Sequence, residues 1–259
     1  MSPDGRRIAV DIEADKIDVW VYDIPGQTLT RLTLEGNNQF PICTPDGNRI
    51  TFRATRGGFR NLWWKPADGS EEQLTSGDHN QRPLSWSPDS WVLVYNDDDT
   101  VTRRDIWALS LEGERKAQPF IQTPYSEGIA RFSPDGHWLA YESDESGRPE
   151  IYVQPFPGPG RKWTLSTEGG GSPVWAQNEE LFYFSGNNLM AVDTQTQPTF
   201  RAGKPRLLFS MSPSLFGFDV TPDGQRFLMI KLSELELPAT QLTIVQDCDE
   251  ELKRLLPIN

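Results

Sequence analysis

Short runs of alternating apolar and polar residues recur along the whole chain and are separated by turn-forming residues. In the clearest stretch, an apolar run from Trp138 to Glu142 follows a Ser-Pro-Asp-Gly turn, and a second run from Ile151 to Val153 follows after a polar loop. Aromatic and β-branched residues in runs of this length are typical of half-buried strands. The pattern therefore predicts an all-β fold.

The turns between these runs share one sequence, Ser/Thr-Pro-Asp-Gly, which we call the marker turn. It begins at residues 2, 44, 87, 133 and 221, with a degraded copy at residue 176, so successive copies lie 42 to 46 residues apart. Proline fixes φ at the second position, aspartate accepts backbone N–H bonds, and glycine adopts the left-handed conformation that precedes the next strand. Ser90 replaces this glycine in the third copy, so we expect strain there.

Each repeat contains up to four predicted antiparallel strands, one before the marker turn and three after it. Six such units predict a six-bladed β-propeller of four-stranded blades in one domain, residues 1–259, because radial packing covers the faces that a single sheet leaves exposed. The predicted blades span residues 1–36, 37–78, 79–124, 125–168, 169–212 and 213–259. The chain begins on a marker turn, so the first blade should lack its innermost strand, and residues 247–256 are expected to form a short helix.

The repeated combination of an aromatic residue, the marker turn, an apolar strand and an Asp/Glu-Ile-Trp/Tyr segment resembles the TolB-type propeller repeat. Three segments of the last repeat also resemble the C-terminal propeller segments of bacterial membrane-anchored serine/threonine kinases: Phe227 to Lys231, Leu242 to Val245 and Glu250 to Leu255. The chain contains no Gly-rich phosphate loop and no catalytic His-Arg-Asp. The resemblance implies a bacterial, periplasmic or otherwise extracytoplasmic module, although the N-terminus lacks the apolar core of a signal peptide.

The charge and composition exclude several function classes. A formal net charge of -12 argues against nucleic-acid binding, which requires clustered Lys and Arg. No run of about 18 apolar residues is present, so direct membrane insertion is not expected. Cys43 and Cys248 lack the paired ligands of a zinc site, and the sequence leaves open whether they are free thiols or a disulfide.

Reactive and metal-binding constellations are not evident. His79 and His137 are predicted to lie on opposite sides of their blades, and no Gly-x-Ser-x-Gly motif is present, so we predict no catalytic residue. The acidic run from Asp97 to Asp99 has a possible Ca²⁺ interpretation, but its spacing matches no dedicated calcium loop and a solvated hairpin is favoured. No cofactor is therefore expected.

Propeller topology predicts where a binding site would lie. The loops that lead into the innermost strands share one face with the hairpins that join the second and third strands, and we call this the loop face. Its mixture of arginine, amide and aromatic side chains suits a peptide, a carboxylate-bearing ligand or a partner protein. The candidate binding residues are Asn38, Gln39, Arg56, Arg60, Gln81, Arg82, Arg103, Arg104, Glu127 and Phe216.

We therefore predict a non-catalytic binding or scaffolding propeller that recognises a protein, peptide or small ligand on the loop face. Reversal of charge at Arg60 and Arg82 should weaken binding without unfolding the protein. Two alternatives remain open. One is a sensor fragment of a larger kinase or peptidase, and the other is a lyase or hydrolase with its site in the axial funnel. The sequence does not indicate an oligomeric state.

Overall fold

The computed structural model describes residues 1–211 and 215–231, and all regular secondary structure in these residues is β-strand. The strands form six consecutive antiparallel sheets. The first contains β1 (Arg7–Glu13), β2 (Ile17–Asp23) and β3 (Thr28–Arg31). The second contains β4 (Asn37–Cys43), β5 (Arg49–Arg56), β6 (Phe59–Pro66) and β7 (Glu72–Gln73). The third contains β8 (Asn80–Trp86), β9 (Val92–Asp99), β10 (Arg103–Ser110) and β11 (Lys116–Ile121).

The remaining sheets continue the same order along the chain. The fourth contains β12 (Glu127–Phe132), β13 (Trp138–Ser143), β14 (Glu150–Pro155) and β15 (Trp163–Thr164). The fifth contains β16 (Gly171–Trp175), β17 (Glu180–Ser185), β18 (Asn188–Gln195), β19 (Arg201–Ala202) and β20 (Arg206–Ser210). The sixth contains β21 (Leu215–Val220) and β22 (Phe227–Lys231).

The prediction of an all-β propeller is confirmed, but the prediction of six four-stranded blades is wrong in its count. The described residues form five sheets of three or more strands, and the sixth repeat contributes a two-stranded sheet. The fifth sheet has five strands because β19 and β20 both pair with β18. The helix predicted over residues 247–256 lies outside the described residues. In the part that is described, no helix is long and apolar enough to cross a membrane.

Five hydrophobic clusters hold the sheets together, and each lies at a junction between consecutive sheets. This arrangement arises because strands with apolar side chains on both faces must be covered on both sides. Fully or nearly fully buried pairs at successive junctions are Val19 with Phe52, Leu62 with Tyr95, Leu84 with Tyr141, Ile151 with Leu181, and Phe182 with Val220. The cores between the sheets therefore account for the regular spacing of apolar runs in the sequence.

The marker turns explain why the same four residues recur. In the fourth copy, the Ser133 hydroxyl donates to Asp135 Oδ1 at 2.5 Å, and the same carboxylate oxygen accepts the His137 N–H at 3.1 Å. The Ser133 Oγ in turn accepts the Trp138 N–H at 3.0 Å, which starts β13. Gly136 adopts φ 75°. These contacts recur in the other four well-formed copies, so the turn is architectural.

The third marker turn offers a stability test, because Ser90 adopts φ 65° where the other well-formed copies have glycine. A non-glycine residue in the left-handed region costs about 1 kcal/mol. We expect Ser90→Gly to raise the free energy of unfolding by about 0.5 to 1 kcal/mol, measured by urea denaturation.

The reciprocal change provides the control. A Cβ on Gly136 would lie 3.1 Å from Pro88 Cδ, so Gly136→Ser should destabilise the protein through both strain and crowding. If Ser90→Gly and Gly136→Ser both changed the free energy of unfolding in the same direction, the left-handed φ would not be the cause.

Candidate functional site

Hydrogen bonds join neighbouring strand ends at the predicted loop face. Arg56 Nη2, at the end of β5, donates to Asn38 Oδ1 in β4 at 3.2 Å and forms an ion pair with Glu71 at 2.8 Å. In the next sheet, Gln81 Nε2 of β8 donates to Asp97 Oδ2 of β9 at 2.9 Å. The ends of β5 and β9 therefore hold the beginnings of the innermost strands β4 and β8.

Three candidate residues are buried in this framework. Asn38 is inaccessible to solvent, Gln81 is 5% exposed and Glu127 is 1% exposed. Asn38 donates to the Glu35 carbonyl, Gln81 contacts Thr75 and Asp97, and Glu127 accepts a hydrogen bond from Thr123. In this conformation their buried side chains stabilise the loop face through hydrogen bonds inside the protein.

Other candidates lie at the outer rim of the loop face. Arg104 Nε pairs with Asp98 at 3.3 Å, and Arg103 Nη1 lies 3.8 Å from Asp144 on the neighbouring hairpin. Arg60 is exposed, and no hydrogen bond or ion pair to it is found among the described residues. Phe216 lies in β21, and its side chain is outside the described part of the structure. The binding role of these residues stays a prediction.

A cluster that lies deeper, towards the axis, combines one aromatic ring with two arginines. The Cζ of Arg82 lies 4.0 Å from the centroid of the Phe40 ring, and the Cζ of Arg53 lies 4.5 Å from the same centroid. Arg53 Nη2 donates to Gln39 Oε1 at 2.5 Å. We call Phe40, Arg53 and Arg82 the channel cluster, because β4 and β8 are innermost strands, which line the central channel of a propeller.

A third arginine lies on the inner strand of the next sheet. Arg131 Nη1 donates to the Leu84 carbonyl of β8 and to the Ala130 carbonyl at 3.3 Å. Its charge interacts with Asp219 on β21, two sheets further along, and burial lowers its pKa. Interactions between sheets that are not neighbours indicate that these side chains surround a common axis.

Arg82 is in an unfavourable electrostatic environment. Burial, and then the charges of Arg131, Arg104 and Arg53, lower its pKa from 12.5 to about 10, and the charge of Asp11 acts in the opposite direction. Among the described residues Arg82 has no hydrogen bond or ion pair, and its guanidinium lies over the Phe40 ring. A guanidinium without a protein acceptor can donate to a ligand.

Two buried carboxyl groups lie between the third and fourth sheets. Asp105 is inaccessible to solvent and Glu127 nearly so, and Asp105 Oδ1 and Glu127 Oε2 are buried without a hydrogen-bond partner. Burial raises the pKa of Glu127 to about 7, and the charges of Asp105, Asp144 and Glu145 act in the same direction. The raised pKa of Glu127 makes the stability of the protein depend on pH.

The acidic run from Asp97 to Asp99 is occupied by protein donors. Asp97 lies 2.6 Å from His79 Nδ1, and Asp99 accepts the Val101 N–H at 2.6 Å. The hydrogen bond between His79 and Asp97 is the main cause of the raised pKa of His79. Across residues 1–211 and 215–231, no group of three or more His, Cys, Asp or Glu side chains is arranged to hold a metal ion. Cys43 is a free thiol, and Cys248 lies outside the described residues.

The sequence reasoning missed Phe40, Arg53 and Arg131. A signal was present for Arg131, since it stands between Ala130 and Phe132 in the apolar half of an innermost strand. A charged residue at such a position must contact a partner, a neighbouring carbonyl or the channel. Phe40 carried no such signal, because its orientation depends on a β-bulge between Gln39 and Ile42.

No protein-family model matches the chain. An uncharacterised protein of Agrobacterium fabrum is 38% identical over 104 residues, which cover 38% of this chain and 35% of that protein. The Tol-Pal system protein TolB of Anaeromyxobacter dehalogenans is 34% identical over 76 residues, which cover 29% of this chain and 18% of that protein. The matches therefore span little more than a third of these curated relatives at most.

Solved structures show the same architecture over most of the chain. TolB from Acinetobacter baumannii matches with a TM-score of 0.71 at 20% identity, covering 88% of this chain and 58% of that one. A putative TolB from Agrobacterium tumefaciens matches with a TM-score of 0.70 at 15% identity, covering 90% and 88%. Oligogalacturonate lyase from Vibrio parahaemolyticus matches with a TM-score of 0.63 at 11% identity, covering 89% and 68%. The chain thus has a TolB-like β-propeller fold, and none of the relatives named here is a kinase.

Proposed function

We propose that this chain is a non-catalytic binding module that recognises a protein or peptide partner at the loop face and the channel opening. The observation that carries the proposal is the channel cluster, in which the Arg82 guanidinium lies over the Phe40 ring and forms no ion pair with a described residue. The surrounding rim adds partly exposed aromatic side chains, Phe59 at 46% and Tyr125 at 43% exposure. Arginine and aromatic side chains together are the residues most enriched where proteins bind one another.

The named relatives support a binding role in general terms. One is a component of a Tol-Pal system, and a further structure with a TM-score of 0.65 at 10% identity is described as a nidogen/laminin complex. The resemblance to TolB leads us to propose an extracytoplasmic location for this chain as well. A sensor role within a larger protein would use the same face, so the same variants test it.

A catalytic function has one supporting observation, the pairing of His79 with the buried Asp97 at 2.6 Å. An imidazole oriented by a carboxylate is the arrangement of many general bases. Proteins of this fold include enzymes, such as an oligogalacturonate lyase whose structure is described with manganese. Elemental analysis of the purified protein, with assay of an acidic oligosaccharide before and after His79→Ala, would decide between lyase activity and binding alone.

Charge reversal on the loop face tests the binding proposal. The native partner is first identified by crosslinking and affinity capture, and its affinity is then measured with purified components. We expect Arg60→Glu and Arg82→Glu each to weaken the affinity by about tenfold or more, because rim and channel charges would then repel an acidic partner surface.

Arg49→Glu is the matched control for these variants. Arg49 also stacks on an aromatic ring, Trp64, at 4.2 Å, but it follows a marker turn and so lies on the opposite face of the propeller. Its reversal should leave the affinity unchanged. Normal binding by both loop-face variants, or an equal loss with Arg49→Glu, would contradict the proposed face.

A further inference from the structure

We propose that the channel cluster of Phe40, Arg53 and Arg82 is a carboxylate-binding site, and that the partner peptide inserts a carboxylate group there. This inference rests on the proposed function and names the chemical group that is recognised. It concerns one subsite within the wider loop face.

The first argument is the number of guanidinium donors that are free. Arg82 has no hydrogen bond to any described residue, and Arg53 Nε is buried without a hydrogen-bond partner. Arg53 uses only Nη2, which donates to Gln39. Since an unpaired buried N–H group is costly, the free Nε of Arg53 is typical of a site that a ligand completes.

The second argument is the position of the Phe40 ring. Phe40 adopts φ 55° at a β-bulge in the inner strand β4, and Ser172 and Gly217 have a similar φ at the corresponding bulges of β16 and β21, so the bulge itself belongs to the fold. A bulge re-aims one side chain, and in β4 it places an aromatic ring where the guanidinium groups of Arg53 and Arg82 contact it.

The third argument is the charge of the channel relative to that of the whole chain. The formal net charge is -12, yet Arg82 is close enough to Arg53, Arg104 and Arg131 for all three to lower its pKa. Asp11 and Glu142 also interact with these arginines, so the local excess of positive charge is small. A planar monoanion fits this balance and the fork of a guanidinium better than a multiply charged group does.

Four short peptides test the site without knowledge of the natural partner. Acetyl-triglutamate amide carries only side-chain carboxylates, and acetyl-trialanine with a free C-terminus carries only a terminal one. Acetyl-triglutamine amide and acetyl-trialanine amide carry none. We expect at least one acidic peptide, and neither neutral one, to bind the full chain in ligand-observed NMR at about 5 mM peptide. The acidic peptide that binds identifies the source of the carboxylate.

Variants in the cluster complete the test. Arg82→Gln should weaken binding of the acidic peptide by about tenfold or more, and Arg82→Lys should weaken it less but measurably, because it keeps the charge and loses the planar fork. Arg53→Gln and Phe40→Leu should also weaken it, whereas the matched control Arg49→Gln should not. Binding of the acidic peptide to the wild type should weaken at high salt, because salt screens the attraction between the arginines and the carboxylate.

Each other result overturns the carboxylate site. Binding of all four peptides with equal affinity, or binding that Arg82→Gln leaves intact, would show peptide recognition without this subsite and so would leave the proposed function standing. Failure of both acidic peptides to bind would reject the subsite. The loop face as a whole is tested by the affinity of the native partner for Arg60→Glu, because Arg60 lies outside the channel cluster. An unchanged affinity in that variant would count against the loop face.

Discussion

Replacing Glu127 by glutamine is expected to stabilise the protein at pH 8 by up to about 3 kcal/mol and to change its stability little at pH 4.5. Glu127 is 1% exposed, and its pKa is raised from 4.5 to about 7, chiefly by burial. Glutamine keeps the shape of the side chain and an oxygen that can accept the hydrogen bond from Thr123.

The sign follows from the direction of the shift. A carboxyl group with a raised pKa is protonated more readily in the folded state, so the stability it contributes is present in full below pH 4.5 and is lost as the pH rises towards 7. A glutamine does not titrate, so the stability difference between variant and wild type should grow over that range. Urea denaturation between pH 4.5 and pH 8 measures it.

Glu150 provides a control with the opposite expected slope. It is 3% exposed, but hydrogen bonds from Ser166, the Gly169 N–H and Arg148 outweigh its burial and lower its pKa. Glu150→Gln should therefore destabilise the protein at pH 7, and the deficit should shrink as the pH falls below the usual range of a glutamate. Parallel curves for the two variants would contradict the assignment of buried charge to Glu127.

The fold was predictable because its determinants are local. The marker turns depend on hydrogen bonds within five residues, such as those that Asp135 accepts from Ser133 and His137. The apolar runs between the turns pack against a neighbouring sheet, however many sheets the propeller has. The outermost strands are less regular. β7, for example, consists of Glu72–Gln73 alone, and an outer strand has no further strand of its own sheet to pair with.

The candidate site was predictable only in its position on the fold. Loop topology assigned Asn38, Arg56 and Gln81 to one face, but it could not tell that Asn38 and Gln81 are buried and hydrogen-bonded to Arg56 and Asp97. The channel cluster depends on contacts between β4, β5 and β8, and on one bulge that directs Phe40. Side-chain direction at a bulge does not follow the alternation that identifies strands, so a sequence pattern carries little information about it.

Replacing Arg82 by methionine is expected to stabilise the protein by about 1 to 3 kcal/mol while it removes the proposed carboxylate site. The lowering of the Arg82 pKa from 12.5 to about 10 means that the folded state disfavours the charge by about 3 kcal/mol. The cation–π contact with Phe40 offsets about 0.5 to 2 kcal/mol of this cost. Methionine can replace that contact by apolar packing on the ring. A ligand-binding residue commonly has such a cost to stability.

Arg49→Met separates this effect from the general loss of an arginine on an aromatic ring. Arg49 is exposed and stacks on Trp64 at 4.2 Å, so its replacement removes a favourable contact without relieving a buried charge. It should leave the free energy of unfolding unchanged or lower it by up to about 1 kcal/mol, measured by urea denaturation beside Arg82→Met. If Arg82→Met instead destabilises the protein by as much as Arg49→Met, Arg82 is a structural residue whose charge is accommodated, and its selection for ligand binding is refuted.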